Sequence, residues 1–263
     1  MKKYSLTSET KLFLGKTLYR IKAEISFGNV EKDELGGWIE SKKNLDQDSN
    51  AWVYGDARVF GNAWVYGDAQ VFGDAWVYGD AQVYGNAWVY GDARVFGNAQ
   101  VYGDARVFGN AWVYGDAQVF GDARVSGDAQ VSGDAWVYGD ARVYGDAQVY
   151  GNARVYGNAR VSGNARVYGN AWVYGDAQVS GNARVSAFAS FTKGWFIGGS
   201  DEDGITEITD KTGSTYRKHQ YVLGEYEITE NSPKEETIEV NGKTYDKKQV
   251  EERLKELTPL DNQ

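Results

Sequence analysis

Few side chains in this sequence have the chemistry of a catalyst, and the rest recur at fixed spacing. There is one histidine, His219, between Lys218 and Gln220, and no cysteine. One imidazole cannot make a multi-histidine metal site within one chain, and its polar neighbours read most simply as a surface position. No Gly-x-Gly-x-x-Gly follows a strand and no Walker motif occurs, so neither nucleotide signature is present. Carboxylates are plentiful. Asp104, Asp122 and Asp140 recur eighteen residues apart, which raises calcium, but each is followed two positions later by Arg106, Arg124 or Arg142. Mutual neutralisation of these exposed pairs, contributing about 0–1 kcal/mol each, is the simpler expectation. The nonapeptide of calcium-binding β-rolls is also absent, so no metal and no cofactor is expected.

These residues belong to a repeat. From Asn50 to Ser186 the chain follows one six-residue pattern, Gly-(Asp/Asn)-Ala-(Trp/Arg/Gln)-Val-(Tyr/Phe/Ser). The first unit has Ser49 in place of glycine, and the twenty-two units from Gly55 to Ser186 are unbroken. Ala and Val lie two residues apart, so on a strand they share one face, and the two variable positions beside Val share the other. Gly followed by Asp or Asn tolerates positive φ and supplies a corner. No helical apolar period runs through this stretch. Strict self-similarity with short strands and sharp corners predicts a solenoid in which each unit packs on its neighbours.

An aliphatic residue at one inward position and a small one at the other, every six residues, resembles the hexapeptide-repeat family. That resemblance implies a left-handed parallel β-helix, three hexads making a triangular coil of eighteen residues, against the usual right-handed crossover. Residues 49–186 would then form between seven and eight coils, a prism roughly 37 Å long with a dry Val/Ala interior. Enzymes of that family are mostly acyltransferases with a His general base or zinc enzymes with several His ligands. No hexad here carries a histidine, so the expectation is a protein that is not an enzyme.

The ends differ from the repeat. Residues 1–48 read as an N-terminal β-hairpin cap, with strands over Lys11–Leu14 and Thr17–Phe27 and a turn at Gly15-Lys16, covering an otherwise open strand edge. Leu35-Gly36-Gly37-Trp38-Ile39-Glu40 and Asn44-Leu45 read as an irregular first coil. This leader resembles that of uncharacterised bacterial and phage hexapeptide-repeat proteins, a likeness that covers about residues 10–186 and carries no activity. Residues 187–231 form a small C-terminal β-rich cap in this reading. Residues 232–263 form a further unit: a hairpin over Thr237–Val240 and Lys243–Tyr245 about Asn241-Gly242, then a short helix lined by Val250, Leu254 and Leu257. No signal-peptide core and no membrane-length apolar run occurs, so a cytoplasmic protein without membrane contact is expected.

Function must then lie in the variable positions. In eighteen-residue coils, Tyr66, Tyr84, Tyr102, Phe120, Tyr138, Tyr156 and Tyr174 form an uninterrupted aromatic column flanked by Trp64, Trp136 and Trp172. The other two sides lose rings at Ser126, Ser162 and Ser180 and at Ser132 and Ser186. Such a column stabilises the solenoid by stacking, and its exposed area is a candidate surface for a protein partner or for self-association. Charge is uneven too. Twelve Asp face five Arg between Gly55 and Tyr150, whereas one Asp faces four arginines, Arg154, Arg160, Arg166 and Arg184, between Gly151 and Ser186. Those four are candidate contacts for an anion or an acidic partner, the acidic C-terminal region included. The net charge of −9 argues against nucleic acid as a partner. The leading expectation is a scaffold or interaction protein. The alternatives are a phage- or prophage-encoded inhibitor of a host defence factor, and carbohydrate binding along the aromatic column.

Overall fold

Each Ala-x-Val segment forms a short strand, from Trp52–Val53 to Arg184–Val185, with Gln178–Gly181 longer than the rest. The computed structural model describes residues 2–185, 190–191, 195–198, 207–208, 237–240 and 243–246. Successive strands visit three sheets in turn, and each pairs in parallel with the strand eighteen residues on: Trp88 with Arg106, Arg94 with Trp112, Gln100 with Gln118. The chain is thus an all-β parallel solenoid of about eight coils. The side containing Trp64 is called here the aromatic side and that containing Arg106 the arginine side. The third contains Arg58.

The coils are joined by backbone bonds from the N–H groups of the residues flanking Val, and at several corners from the Asp or Asn N–H, to the carbonyl seventeen residues on, as from Asn86 to Gly103 at 2.8 Å, Trp88 to Ala105 at 2.9 Å and Tyr90 to Val107 at 3.0 Å. The inward Ala and Val of every hexad are fully buried. The interior is therefore a solid column of methyl groups, held by dispersion and loss of water contact.

At the corners the division of labour differs from the expectation. Positive φ, between 56° and 73°, is confined in the solenoid to the glycines from Gly55 to Gly181. The following Asp or Asn has an ordinary backbone and a different task. Asn side chains donate to the residue one coil on: Asn86 Nδ2 to Asp104 Oδ1 at 3.0 Å, Asn98 to Asp116 at 2.8 Å, Asn110 to Asp128 at 2.9 Å. An amide below a carboxylate replaces like-charge contact with a charge-assisted hydrogen bond.

The N-terminal hairpin pairs strand β1 (Tyr4–Phe13) with β2 (Lys16–Ala23). Its turn is Leu14-Gly15, one residue earlier than the sequence suggests, with φ of 47° and 75°. Two consecutive positive φ values match the type I′ turn that suits strand twist. Strand β3 (Leu35–Ile39) pairs antiparallel with β2 and parallel with Arg58–Val59, so it begins the solenoid. Gly36 and Gly37 are needed there because a Cβ would lie 2.5 Å from Ile21 and 2.7 Å from the Ala57 carbonyl.

A first coil has no coil before it to donate to its carbonyls, and side chains take over. Asn44 Nδ2 donates to Gly61 O and Ala63 O at 3.0 and 2.9 Å. Lys3 Nζ donates to Ser49 O and Ala51 O at 2.7 and 2.9 Å, and the Tyr4 hydroxyl to Leu45 O at 2.7 Å. Tyr4 and Phe27 also meet Trp52 edge to face, so this tryptophan is core rather than surface.

Beyond the repeat, Ser190–Phe191 pairs with Trp172–Val173, still eighteen residues on, while Trp195–Gly198 and Glu207–Ile208 join the other two sheets at altered spacing. The chain divides into two compact units, Met1–Thr229 and Glu230–Gln263. In the second, Thr237–Val240 and Lys243–Asp246 pair antiparallel. The helix read near Val250–Leu257 and the segment Tyr221–Thr229 lie outside the described residues. Among those described, no helix is long and apolar enough to cross a membrane.

The stacked corners predict a contrast between two glycines. A Cβ on Gly103 would stand 2.9 Å from the Gly121 nitrogen, whereas one on Gly15 would meet nothing within 4 Å. Gly103→Ala should cost more than about 1 kcal/mol, from backbone strain and coil contact together. Gly15→Ala bears only the strain, so urea unfolding should show the smaller loss.

Candidate functional site

The seven rings from Tyr66 to Tyr174 occupy one sheet edge of the aromatic side and form a continuous stack. Centroids are 4.7 Å apart for Tyr66–Tyr84 and 4.8 Å for every later pair, with planes within 7° of parallel. This spacing is the coil repeat, so rings follow the backbone ladder without adjustment. Their faces cover one another and their edges point outward, leaving each ring half-buried. Beside them run Gln82, Gln100 and Gln118, whose Oε1 atoms accept from Tyr66, Tyr84 and Tyr102 hydroxyls at 3.5, 3.3 and 3.2 Å.

Trp64, Trp136 and Trp172 lie on this same side. Trp64 packs on Tyr66 at 4.0 Å, and Trp136 meets Phe120 edge to face at 6.3 Å. Trp64 and Trp172, near opposite ends of the stack, are 41% and 42% exposed.

The four arginines singled out by charge do not converge. Arg154 joins the aromatic side, its guanidinium 4.6 Å from the Trp136 ring and 5.3 Å from that of Trp172. Arg160 continues the arginine side next to Arg142, while Arg166 and Arg184 are neighbours on the third side. Their common lack of a preceding Asp is a property of height along the solenoid, and height alone places residues on three different faces.

The expected pairing of Asp104, Asp122 and Asp140 with Arg106, Arg124 and Arg142 is also absent: no ion pair joins them among the described residues. The guanidinium groups turn along the axis toward tryptophan faces where these exist, Arg106 over Trp88 at 4.7 Å and Arg94 over Trp76 at 4.3 Å. Asp104 turns to the amide of Asn86. Among the described residues no set of three or more His, Cys, Asp or Glu could hold a metal ion. His219 lies outside them.

Two features escaped a reading by hexads alone. Phe60, Phe72, Phe96 and Phe120 each have a tryptophan sixteen residues later, whereas the tyrosines, apart from Tyr156, do not. In three of these pairs the rings meet edge to face: Phe72–Trp88 at 6.0 Å, Phe96–Trp112 at 6.2 Å and Phe120–Trp136 at 6.3 Å. A hydroxyl would intrude there, and beneath glutamine it finds an acceptor instead. Tyr144 is the second, an isolated ring between Ser126 and Ser162 that is 40% exposed.

This architecture and surface define a β-solenoid repeat protein whose variation is confined to its outer columns. A family model described as YdcK beta solenoid repeat matches residues 51–67, 69–85, 81–97, 99–115, 117–133, 129–145, 147–161, 159–175 and 177–189, just over half of the chain in total. The chain belongs to the YdcK β-solenoid repeat family. No curated protein matches it.

Burial shifts the stack and the first coil in ways that pH can test. Burial raises the phenol pKa of Tyr66, Tyr84, Tyr102, Tyr138 and Tyr156, and that of Tyr4 most of all. Burial pushes the Lys3 ammonium down to about 8, against the pull of Asp46 and Asp48. Below that pH Lys3 is charged in both states and the folded chain bears the cost of burying it. As pH rises toward the unfolded value that cost is relieved. Above about pH 10 the unfolded tyrosines ionise while the folded ones stay neutral, and stability is lost. The melting temperature should therefore rise from pH 7 to a maximum near pH 9–10 and then fall, and Lys3→Met should abolish the rise but not the fall.

Proposed function

We propose that this chain is a non-enzymatic interaction protein that binds a protein partner, or a second copy of itself, through the aromatic side. In this reading the solenoid is a left-handed coil of the hexapeptide type, closed at its start by the hairpin. The observation that carries it is the asymmetry among the three sides. The aromatic side keeps its ring stack through seven coils, with an exposed tryptophan near each end, while both others break it with serine. Ring edges and glutamine amides make a flat surface with little mobile side-chain entropy to lose, which suits protein contact.

Carbohydrate binding draws less support, because sugars stack on ring faces and these faces are covered by neighbouring rings or by Arg154. No particular observation favours the inhibitor reading. An enzyme draws none either: the outward Asp, Arg, Gln and Tyr described here are spread in columns rather than gathered as acid and base.

Trp64→Gln combined with Trp172→Gln keeps all seven rings of the stack and the core, and removes the Trp64–Tyr66 and Arg154–Trp172 contacts. Sedimentation analysis and affinity capture should show association weakened about tenfold or more, with an unchanged circular dichroism spectrum. Association as strong as that of the unmodified protein would remove this reading, as would a protein that neither self-associates nor captures a partner.

A further inference from the structure

Where one ring is missing from a stack, a slot one ring thick opens between its neighbours. On the arginine side the stack runs Phe72, Tyr90, Phe108 with centroids 4.7 and 4.9 Å apart, then meets Ser126 before Tyr144. Phe108 and Tyr144 are two coils apart, about 10 Å, which leaves room for one planar ring in contact with both. The floor is the half-buried Ser126 and the exposed Gly127, in contrast to the half-buried Gly109 beside Phe108.

Beside this slot stands a ladder of like charge. Arg106, Arg124, Arg142 and Arg160 are register partners on consecutive coils. Arg106 is covered by its contact with Trp88, but Arg124, Arg142 and Arg160 are exposed and make no ion pair or ring contact among the described residues. Arg124 lies two residues before Ser126 on the same face, about 7 Å away, so a guanidinium borders the slot at its own height. Three unpaired guanidinium groups one coil apart repel one another and are relieved by carboxylates.

We propose that the Ser126 slot binds an aromatic side chain within an acidic segment of a protein partner. The ring enters between Phe108 and Tyr144, and carboxylates flanking it in the partner pair with Arg124 and Arg142. A nucleic acid fits less well, because Asp104, Asp122, Asp140 and Asp128 border the same ladder and would repel a continuous phosphate backbone. The inference does not depend on the aromatic side.

A built-in control makes the test specific. On the third side Ser132 interrupts the column between Tyr114 and Tyr150 in the same way, but the residue beside it is Gln130. Fluorescence anisotropy with a labelled Glu-Glu-Tyr-Glu-Glu peptide should show saturable binding that a Glu-Glu-Ala-Glu-Glu peptide lacks. Ser126→Tyr fills the slot, should raise the melting temperature by continuing the stack, and should weaken binding about tenfold or more. Ser132→Tyr should raise the melting temperature equally and leave binding unchanged. Arg124→Gln with Arg142→Gln should weaken binding without changing the fold. The proposal is overturned by an absence of saturable binding, by binding that survives Ser126→Tyr, or by an oligothymidine that binds at Ser126 in preference to the peptide.

Discussion

The solenoid depends on the bonds that the N–H groups flanking each Val make to the carbonyls seventeen residues on. Those bonds place every residue over the one eighteen positions away, at one fixed spacing, on all three sides. Equivalent side chains are therefore forced to be neighbours. Whether a column is stable depends on how its residue type tolerates its own kind. Valine and alanine gain by it, because methyl groups interlock and exclude water. Rings gain, because the coil spacing is close to their stacking distance. Carboxylates and guanidinium groups lose, because like charges are brought together.

The variable positions read as responses to that constraint. Asparagine set below aspartate turns repulsion into a hydrogen bond, and tryptophan set beside arginine gives a guanidinium a face to cover. Phe72, Phe96 and Phe120 lie where a tryptophan edge follows on the next coil, and Tyr66, Tyr84 and Tyr102 where a glutamine acceptor does. On the aromatic side these solutions run unbroken. On the arginine side they stop: Arg124, Arg142 and Arg160 have no tryptophan, and Ser126 and Ser162 leave Tyr144 without a stack. Such a departure from self-satisfaction marks the place where something outside the chain can be recognised.

The same constraint makes the first coil a problem, since its carbonyls have no donors before them. Strand β3 supplies them on one side, Asn44 on a second and Lys3 on the third. These donors are chemically unrelated and come from segments far apart in sequence. This accounts for the irregular leader beside so regular a repeat: each side of the first coil is completed by a different local solution.

The hexad by itself determined the strands, the inward Ala and Val and the glycine corners, because a period of six and a face alternation of two need no further information; the aromatic column needed in addition the eighteen-residue coil that the family resemblance implied. Even the Gly36-Gly37 and Asn44-Leu45 signals were legible as an entry coil. Their reasons were not, since these depend on how closely Ile21 and the Ala57 carbonyl approach and on which carbonyls lie open. The partners of the charged residues differ from the sequence expectation for a related reason. Asp104 and Arg106 are neighbours in sequence, but a side chain on a solenoid is set by the coils before and after it, sixteen to eighteen residues away. Only the tertiary structure decided that Arg154 belongs to the aromatic side, that the four late arginines lie on three faces, and that Tyr144 stands alone. Those are facts about stacking between coils, and the sequence of one hexad does not contain them.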